Sequence, residues 1–384
     1  MKKRNLENVL FTMVQVMVIT GITLFALSPF SCKISEEGIK VIGGDYVPPV
    51  LDSFTVINES TLQLCFSEKV NLTQGIVSKV SDKAYDSLEH SETEDLSAAL
   101  AAANGAEGSI SSSFEYSEDG KTVTIALEKE TEIGESYEFY GCVKDLTGNT
   151  LTFAVPFTGF NSRIPKIVMT EIQTVSVSSQ STKEKEAGIY KNEFIEFLAL
   201  TDGNLCGLEV CSGYDGESKK YEFPKIEVKK GEVFTVHMRN RGNGCISEEE
   251  EDLTQAFSSY TSDSVRDLWT DITETTLGNK TDVIIVRNQA NGSIVDAVMY
   301  RDSAVTEWSK SMGDYAALVY ESEIYASAAI EGACDVSDKT DSKTIQRSAA
   351  AELRENALKD EEIDYPVKVD STAWAVGTVS AGEL

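Results

Sequence analysis

Short runs in which hydrophobic and polar residues alternate recur along the chain, and they predict β-strands. Leu62, Leu64 and Phe66 alternate with polar or smaller residues, which is the period-two pattern of a half-buried strand. Three such runs occur before residue 150: 61–66, 123–127 and 137–143. Because turn signals such as Asp119-Gly120 separate them, these runs predict an antiparallel β-sandwich over residues 47–160.

A second series of strand patterns follows and continues almost to the last residue. Its runs are 164–172, 192–198, 205–210, 221–224, 228–236, 281–286, 292–300 and 344–348, followed by the terminal segment 370–382. They predict a second sandwich over residues 164–384, with insertions near 247–275 and 303–340. The predicted fold class is therefore all-β: two sandwiches in series, with short helical insertions and an N-terminal signal or anchor helix.

Three segments depart from the strand pattern. Residues 81–113 include the alanine-rich stretch 94–103, which favours a helical insertion in the first sandwich, either a local lid or a partner-binding helix. The acidic run Glu248–Glu251 predicts a solvated helix start, with a metal site as the alternative. Aromatic residues between Trp308 and Tyr325 predict core or edge packing, with a carbohydrate or peptide platform as the alternative.

The N-terminus combines a basic start, a long apolar run and a cysteine. Lys2, Lys3 and Arg4 precede the uncharged run 9–27, and Cys32 follows a small residue. This order predicts an export signal, because a basic end stays in the cytoplasm while the apolar segment enters the membrane. The segment resembles a bacterial lipoprotein signal peptide, in the loose form found in spirochaete lipoproteins.

That resemblance implies cleavage after residue 31 and attachment of lipid to Cys32. Residues 1–31 are then the lipoprotein signal peptide, and residues 32–46 are a tether. Pro29 stands where such signals usually carry an aliphatic residue. An uncleaved anchor and plain secretion are the alternatives. Because no second long apolar run is present, the remainder of the chain is predicted to lie outside the membrane.

Two motif sets resemble families of exported β-sandwich domains. Residues 61–70 and 136–149 resemble the "F-S-x-x-V" strand and the "D-x-x-G-N" turn of bacterial Ig-like domains, and Asp145 and Asn149 are expected to hold that turn through hydrogen bonds to the backbone. Residues 164–384 resemble the lamin-tail domain, an Ig-like sandwich of nuclear lamins and bacterial exported proteins. The motifs are "E-F-I-E-F" at 193–197, "K-G-E" at 230–232, "D-x-V-x-Y" at 296–300 and "I-Q-R" at 345–347. The resemblances imply two Ig-like β-sandwiches.

The composition is strongly acidic. The chain has 63 Asp and Glu residues against 34 Lys and Arg residues, and its formal net charge is −29 at pH 7. Such a surface repels the phosphates of nucleic acids, which are therefore excluded as partners. Solubility and repulsion between copies account for the charge, with weak binding of divalent cations as the alternative.

Six cysteines remain once Cys32 is set aside, and an even number in an exported chain permits disulfides. Cys65 and Cys142 both fall on the strand face opposite the inferred core, so they are a candidate disulfide if their strands are neighbours. The other possible disulfide cysteines, whose pairing stays open, are Cys206, Cys211, Cys245 and Cys334. Zinc is disfavoured, because the closest cysteine pair has neither a companion pair nor a nearby histidine.

The sequence offers no recognisable catalytic set. It has only two histidines, His90 in the first insertion and His237 after an alternating strand, and it lacks the motifs of serine hydrolases, P-loop proteins and zinc proteases. A carboxylate pair for hydrolysis stays open. No cofactor and no metal are predicted.

These observations favour a non-enzymatic cell-envelope lipoprotein that displays a binding, adhesion or scaffolding surface. It would be lipid-anchored to a membrane through Cys32, face the periplasm or the cell exterior, and recognise a protein or glycan partner. A glycan- or ligand-binding accessory component is the alternative, and a metal-dependent hydrolase is the least favoured reading.

Overall fold

The computed structural model describes residues 46–80, 109–175, 192–214, 216–242, 244–256, 260–340 and 342–384. The chain divides into two units, Met1–Val47 and Pro48–Leu384. The predicted signal peptide, Cys32, most of the tether, the alanine-rich stretch and His90 lie outside the described residues. Within the described part, no helix is long and apolar enough to cross a membrane.

The first sandwich consists of two four-stranded antiparallel sheets. Its strands are β1 (Leu51–Asn58), β2 (Thr61–Phe66), β3 (Val70–Lys79), β4 (Ser109–Ile110), β5 (Ser112–Tyr116), β6 (Thr122–Leu127), β7 (Ser136–Asp145) and β8 (Thr150–Thr158). One sheet has the order β1-β2-β6-β5 and the other β4-β3-β7-β8. The residues of the predicted alternation, including Leu62, Leu64, Val123 and Phe139, are fully buried between the two sheets.

The structure shortens the predicted insertion at its C-terminal end. Residues 109–113 belong to strands β4 and β5 rather than to a helical segment. Ile110 is buried and pairs with Val77 of β3, and Phe114 pairs with Ile125 of β6. Backbone pairing therefore places residues 109–110 and 112–113 in the two sheets of the first sandwich.

The second sandwich is larger and pairs a six-stranded sheet with a five-stranded sheet. Its strands are β9 (Ile167–Gln173), β10 (Phe194–Ala199), β11 (Gly203–Asn204), β12 (Leu208–Ser212), β13 (Gly216–Glu222), β14 (Glu227–Val228), β15 (Val233–His237), β16 (Arg266–Trp269), β17 (Thr281–Asn288), β18 (Ile294–Arg301), β19 (Cys334–Asp335), β20 (Lys343–Arg347) and β21 (Trp374–Thr378). The sheets have the orders β16-β15-β10-β9-β20-β21 and β13-β12-β17-β18-β19.

Two helices cover the outer faces of this sandwich. Helix α1 (Lys310–Glu321) packs Tyr315 and Val319 against the outside of the five-stranded sheet. Helix α2 (Ala350–Leu358) packs Leu353 and Ala357 against the outside of the six-stranded sheet. Because both faces are covered, central strands such as β10 are buried at every position instead of alternating.

The predicted helix start at Glu248–Glu251 is wrong. These residues form no helix, and the carboxylate of Glu248 is buried. It accepts hydrogen bonds from the backbone N–H groups of Gln255 (3.1 Å), Ala256 (3.0 Å) and Asp267 (2.8 Å). The first residue of the acidic run therefore anchors an irregular segment onto β16, which satisfies backbone donors that would otherwise be unpaired.

The two sandwiches are joined by directed polar contacts. The side chain of Asn161, in the connection between them, donates hydrogen bonds to the carbonyls of Asn204 (2.8 Å) and Cys206 (2.7 Å). Lys225 of the second sandwich pairs with Glu135 of the first at 3.1 Å. A side chain at Gly134, whose φ is +73°, would meet the sulfur of Cys206 at 2.8 Å. These contacts connect the two sandwiches at the junction.

One ion pair bridges the two sheets inside the second sandwich. Arg347 of β20 donates from Nη2 to both carboxylate oxygens of Asp296 in β18, at 2.7 Å each, and both side chains are buried. Asp296 also accepts from the backbone N–H of Met169 (2.6 Å), and the Arg347 guanidinium lies 4.5 Å from the ring centroid of Trp374. The motifs "D-x-V-x-Y" and "I-Q-R" thus supply the two halves of a buried ion pair.

We expect Asp296→Asn and Arg347→Met each to lower the free energy of unfolding by about 3–5 kcal/mol, because each leaves an uncompensated polar or charged group in the core. The double variant Asp296→Leu/Arg347→Met should be less destabilised than either single variant. Urea denaturation followed by tryptophan fluorescence measures this. Lys359→Ala, which breaks an exposed pair on α2, is the control and should leave the midpoint unchanged. The bridging role would be contradicted if the double variant lost as much free energy of unfolding as the two single variants together.

Candidate functional site

A row of polar side chains crosses the six-stranded sheet on the face that points away from the sandwich core. In the strand register, Glu171 lies opposite Glu196, Glu196 opposite Thr235, and Thr235 opposite Asp267. Their neighbours in sequence, such as Ile195 and Phe234, point into the core. Four strands therefore place three carboxylates in one line.

The C-terminal segment covers the two glutamates of this row. Glu171 accepts hydrogen bonds from the backbone N–H (3.0 Å) and hydroxyl (2.7 Å) of Ser380 and from the hydroxyl of Thr344 (2.7 Å). Glu196 accepts from the backbone N–H of Gly382 (2.5 Å) and from the hydroxyl of Thr170 (2.6 Å). Each of the four carboxylate oxygens has at least one donor within the chain, so the pair fastens residues 380–382 to the sheet.

Glu196 has a strongly perturbed acidity. Burial raises its pKa to about 7, and the neighbouring charge of Glu171 also raises it, while the hydrogen bonds from Gly382 and Thr170 act in the opposite direction. A carboxyl group that exchanges its proton near neutral pH is a candidate acid or base by chemistry. Here, however, its hydrogen-bond partners are Gly382 of the C-terminal segment and Thr170 of β9.

His237 and Asp267 form a second buried polar pair on the same face. His237 Nε2 lies 2.9 Å from Asp267 Oδ1, and the imidazole stacks on the Trp269 ring with centroids 3.9 Å apart. Asp267 also accepts from the hydroxyls of Thr235 and Thr261. Burial by itself raises the pKa of Asp267. The charge of His237 and the hydrogen bonds from His237, Thr235 and Thr261 have the larger combined effect, so the pKa of Asp267 is lowered.

This pair lacks the arrangement of a nucleophilic site. Among the described residues, Asp267 is the hydrogen-bond partner of His237, and no serine or cysteine contacts the imidazole. The two threonine hydroxyls near it are directed to Asp267. Activation of a nucleophile needs the base within hydrogen-bond reach of the attacking group. His237 therefore packs and hydrogen-bonds as a structural residue of β15.

A third cluster has the composition of a metal site but not its chemistry. One ligand atom each from Glu209, Cys211 and Glu217 lies within 4.8 Å of the others. Arg287 donates to Glu209 (2.5 Å) and to both oxygens of Glu217 (3.0 and 2.6 Å), and Lys220 pairs with Glu209 at 2.9 Å.

The charges of this cluster are therefore already balanced. Two cationic side chains, Arg287 and Lys220, pair with the two carboxylates. Burial raises the pKa of Cys211 to about 12, so its sulfur is a protonated thiol and not the thiolate that a metal ion requires. The cluster fits an ion-pair network between β12, β13 and β17.

The structure does not bring the predicted disulfide partners together. Cys65 lies in β2 and Cys142 in β7, and these strands belong to opposite sheets of the first sandwich, so the condition for the candidate pair is not met. Cys65 contacts the hydroxyl of Thr122 and Cys142 that of Thr152, each at 3.7 Å. All the described cysteines are free thiols: Cys65, Cys142, Cys206, Cys211, Cys245 and Cys334.

The turn after β7 confirms the predicted role of Asp145. Its Oδ1 accepts from the backbone N–H groups of Thr147 (2.8 Å), Gly148 (2.6 Å) and Asn149 (2.8 Å). The Asn149 side chain donates to Asp145 Oδ2 at 2.7 Å. The carboxylate is therefore used to close the turn.

Sequence reasoning did not anticipate an open cleft beside helix α1. It has a volume of about 770 Å³ and lies between the turn after the helix and the segment that leads into β21. Its lining is contributed by Tyr320, Glu321, Glu323, Ile324, Tyr325, Ala326, Lys368, Val369, Asp370, Thr372 and Ala373. The aromatic content of 308–325 was the only signal in the sequence, and it did not show that Tyr320 is half exposed whereas Tyr325 is buried.

Comparison with known proteins identifies relatives of the second sandwich. Residues 165–376 match the family described as TP_1001 protein second domain. An uncharacterized protein of Treponema pallidum (strain Nichols) is 23% identical over 232 residues, which cover 59% of this chain and 54% of that protein. The chain thus spans about half the length of the curated relative that it matches.

Two solved structures share weaker similarity. The N-terminal part of the bacterial S-layer protein SbsC has 15% identity and a TM-score of 0.22, with 66% of this chain and 43% of that chain covered. A DUF4876 family protein from Bacteroides thetaiotaomicron has 12% identity and a TM-score of 0.33, with coverages of 85% and 93%. TM-scores this low do not establish a shared fold. The bacterial Ig-like and lamin-tail resemblances therefore remain predictions.

The raised pKa of Glu196 predicts a pH dependence of stability. Between pH 4.5 and about 7 the Glu196 carboxyl keeps its proton in the folded chain and releases it in the unfolded chain. Its contribution to the free energy of unfolding therefore falls as the pH rises. We expect wild type to lose roughly 3 kcal/mol relative to Glu196→Gln across this window. Urea titrations at several pH values measure the difference. Glu352→Gln, exposed on α2, is the control. Parallel pH profiles for wild type and Glu196→Gln would refute the assignment.

The burial of the thiols predicts their labelling pattern. In native protein, maleimide should modify the half-buried Cys65, Cys206 and Cys245. The buried Cys142, Cys211 and Cys334 should react only after unfolding, because burial raises the pKa of Cys211 to about 12 and of Cys334 to about 11. Mass spectrometry of Cys32→Ser protein counts the labels. Thiols that become reactive only after reduction would instead reveal a disulfide.

Proposed function

The chain belongs to the TP_1001 protein second-domain family, and on that premise we propose that it is a non-enzymatic component of the cell envelope. In this proposal it is exported, anchored by lipid at Cys32, and displays two linked β-sandwiches as a binding or scaffolding surface. The matched relative from Treponema pallidum is itself uncharacterized, so the proposal rests on the residues of this chain.

The observation that carries the proposal is the use of reactive groups for internal bonding. The carboxylates of the polar clusters described above are hydrogen-bonded within the chain: Glu171 and Glu196 to the C-terminal segment, Asp296 to Arg347, and Glu209 to Arg287 and Lys220. A catalytic group needs a free face toward substrate. Within the described residues, these clusters support folding and leave no base beside a nucleophile.

The junction between the sandwiches is compatible with a display role. The bonds from Asn161 and the pair of Lys225 with Glu135 connect the two sandwiches. Domains of one chain move relative to each other unless their interface is large and hydrophobic, and these contacts are polar. The proposal therefore needs a linked pair of sandwiches and not a rigid spacer.

The proposed location rests on the N-terminal sequence and its positive charges. The basic start, the apolar run 9–27 and Cys32 support export and lipid attachment. Several acyl chains on one cysteine would hold the protein firmly, whereas a single chain binds a membrane only marginally. In the same proposal, the first sandwich is a bacterial Ig-like domain and the second a lamin-tail domain.

A second candidate function is that of a glycan- or ligand-binding component. The open cleft beside α1, with a half-exposed tyrosine at its edge, favours it. The two candidates are compatible, because a displayed surface needs a partner.

The anchor is tested by metabolic labelling with an alkyne analogue of palmitate. We expect wild type to incorporate label and to sediment with membranes, and Cys32→Ser to lose the label. Cys65→Ser is the matched control, because Cys65 lies within the first sandwich and should not affect labelling. Label that survives in Cys32→Ser would refute lipidation at this position, and crosslinking in intact cells would then identify the partner independently of the anchor.

A further inference from the structure

The cleft beside α1 combines a rigid apolar floor with an exposed aromatic edge. Ile324 and Tyr325, which form part of the floor, are almost completely buried, and the backbone N–H of Val369 bonds to the carbonyl of Ile324 at 2.9 Å. Tyr320 lies at the edge and is 53% exposed. The volume of about 770 Å³ falls in the range typical of small-ligand sites, about 300–1,000 Å³.

The turn that forms one wall is held in a rarely populated conformation. Glu323 has a φ of +60°, in the left-handed region that side chains other than glycine seldom adopt. Its backbone N–H bonds to the carbonyl of Tyr320 (3.0 Å), and its carboxylate pairs with Lys368 at 3.6 Å. Glu323 follows the C-cap Ser322, and a left-handed residue at this position is a common way for a helix to end, so the conformation fixes where the chain leaves α1 beside the cleft.

The polar groups of the cleft are mostly hydrogen-bond acceptors. Asp370 uses Oδ1 to accept from the backbone N–H (2.8 Å) and hydroxyl (2.6 Å) of Thr372, and the residue is exposed. In the described part of the chain, neither the carboxylate of Glu321 nor the hydroxyl of Tyr320 has a hydrogen-bond partner. The cleft thus offers carboxylate acceptors close to an aromatic ring.

We propose that this cleft binds a carbohydrate chain, with a sugar ring packed on Tyr320 and its hydroxyl groups donating to Glu321 and Asp370. A sugar presents both surfaces that the cleft matches: an apolar C–H face for the tyrosine ring and a rim of hydroxyl donors for the carboxylates. An anionic ligand is disfavoured, because three carboxylates face one lysine. This inference names a carbohydrate as the class of partner for the proposed display surface. It rests on that proposed function only because display would give the cleft access to a glycan.

The test uses the full chain in a detergent without a sugar headgroup, so that the detergent cannot occupy the cleft. Probes are the linear hexamers of glucose and of N-acetylglucosamine, with a hexalysine peptide for comparison. Saturation-transfer NMR detects binding, and calorimetry measures the affinity. We expect at least one hexamer to bind. Tyr320→Ala should weaken its affinity roughly threefold to tenfold, whereas Tyr320→Phe, which keeps the ring, should bind nearly as wild type does.

Leu318→Ala is the matched control, because Leu318 is exposed on the same helix and does not line the cleft. Absence of binding by both hexamers at millimolar concentration would overturn the proposal, as would unchanged affinity in Tyr320→Ala. Binding of hexalysine that is lost in Glu321→Gln but kept in Tyr320→Ala would overturn it in favour of a cation site. None of these outcomes depends on Cys32, so failure here is distinguishable from failure of the anchor.

Discussion

The larger sandwich depends on a buried ion pair between its two sheets. Asp296 and Arg347 meet in the core, where the carboxylate also accepts a backbone N–H and the guanidinium lies over the Trp374 ring. Removing two charges from water is costly, so the pair fits only when the register of β18 and β20 brings both groups together. The observed alignment of the two sheets is one that lets this pair form.

A related constraint acts on the outside of the six-stranded sheet. Carboxylates from β9 and β10 face outward in one row, and the backbone of Ser380 and Gly382 supplies their donors. Burial of Glu196 would be unfavourable without these bonds. The C-terminal segment is thus part of the structure of the sheet, and together with α2 it explains why the strands of this sheet are buried on both faces.

The use of charged side chains for internal bonding also bears on the proposed function. Acidic and basic groups that look reactive as a set, such as Glu209, Cys211 and Glu217, are engaged with Arg287 and Lys220. By contrast, the cleft beside α1 keeps carboxylates and a tyrosine exposed to solvent. This contrast between hydrogen-bonded carboxylates inside the fold and exposed groups at one surface is the basis for proposing a recognition role.

The alternation of residues by itself determined the all-β class and which residues of β2, β6 and β7 point inward, because a strand turns successive side chains to opposite faces. The "D-x-x-G-N" motif determined the turn at Asp145, whose bonds reach only to Asn149. Only the tertiary structure decided which strands are neighbours. It separated Cys65 from Cys142, joined Asp296 to Arg347 across 51 positions, and ended the insertion before residue 109. A period of two fixes the face of a residue but carries no information about its partner, because strand pairing depends on contacts between residues far apart in the chain.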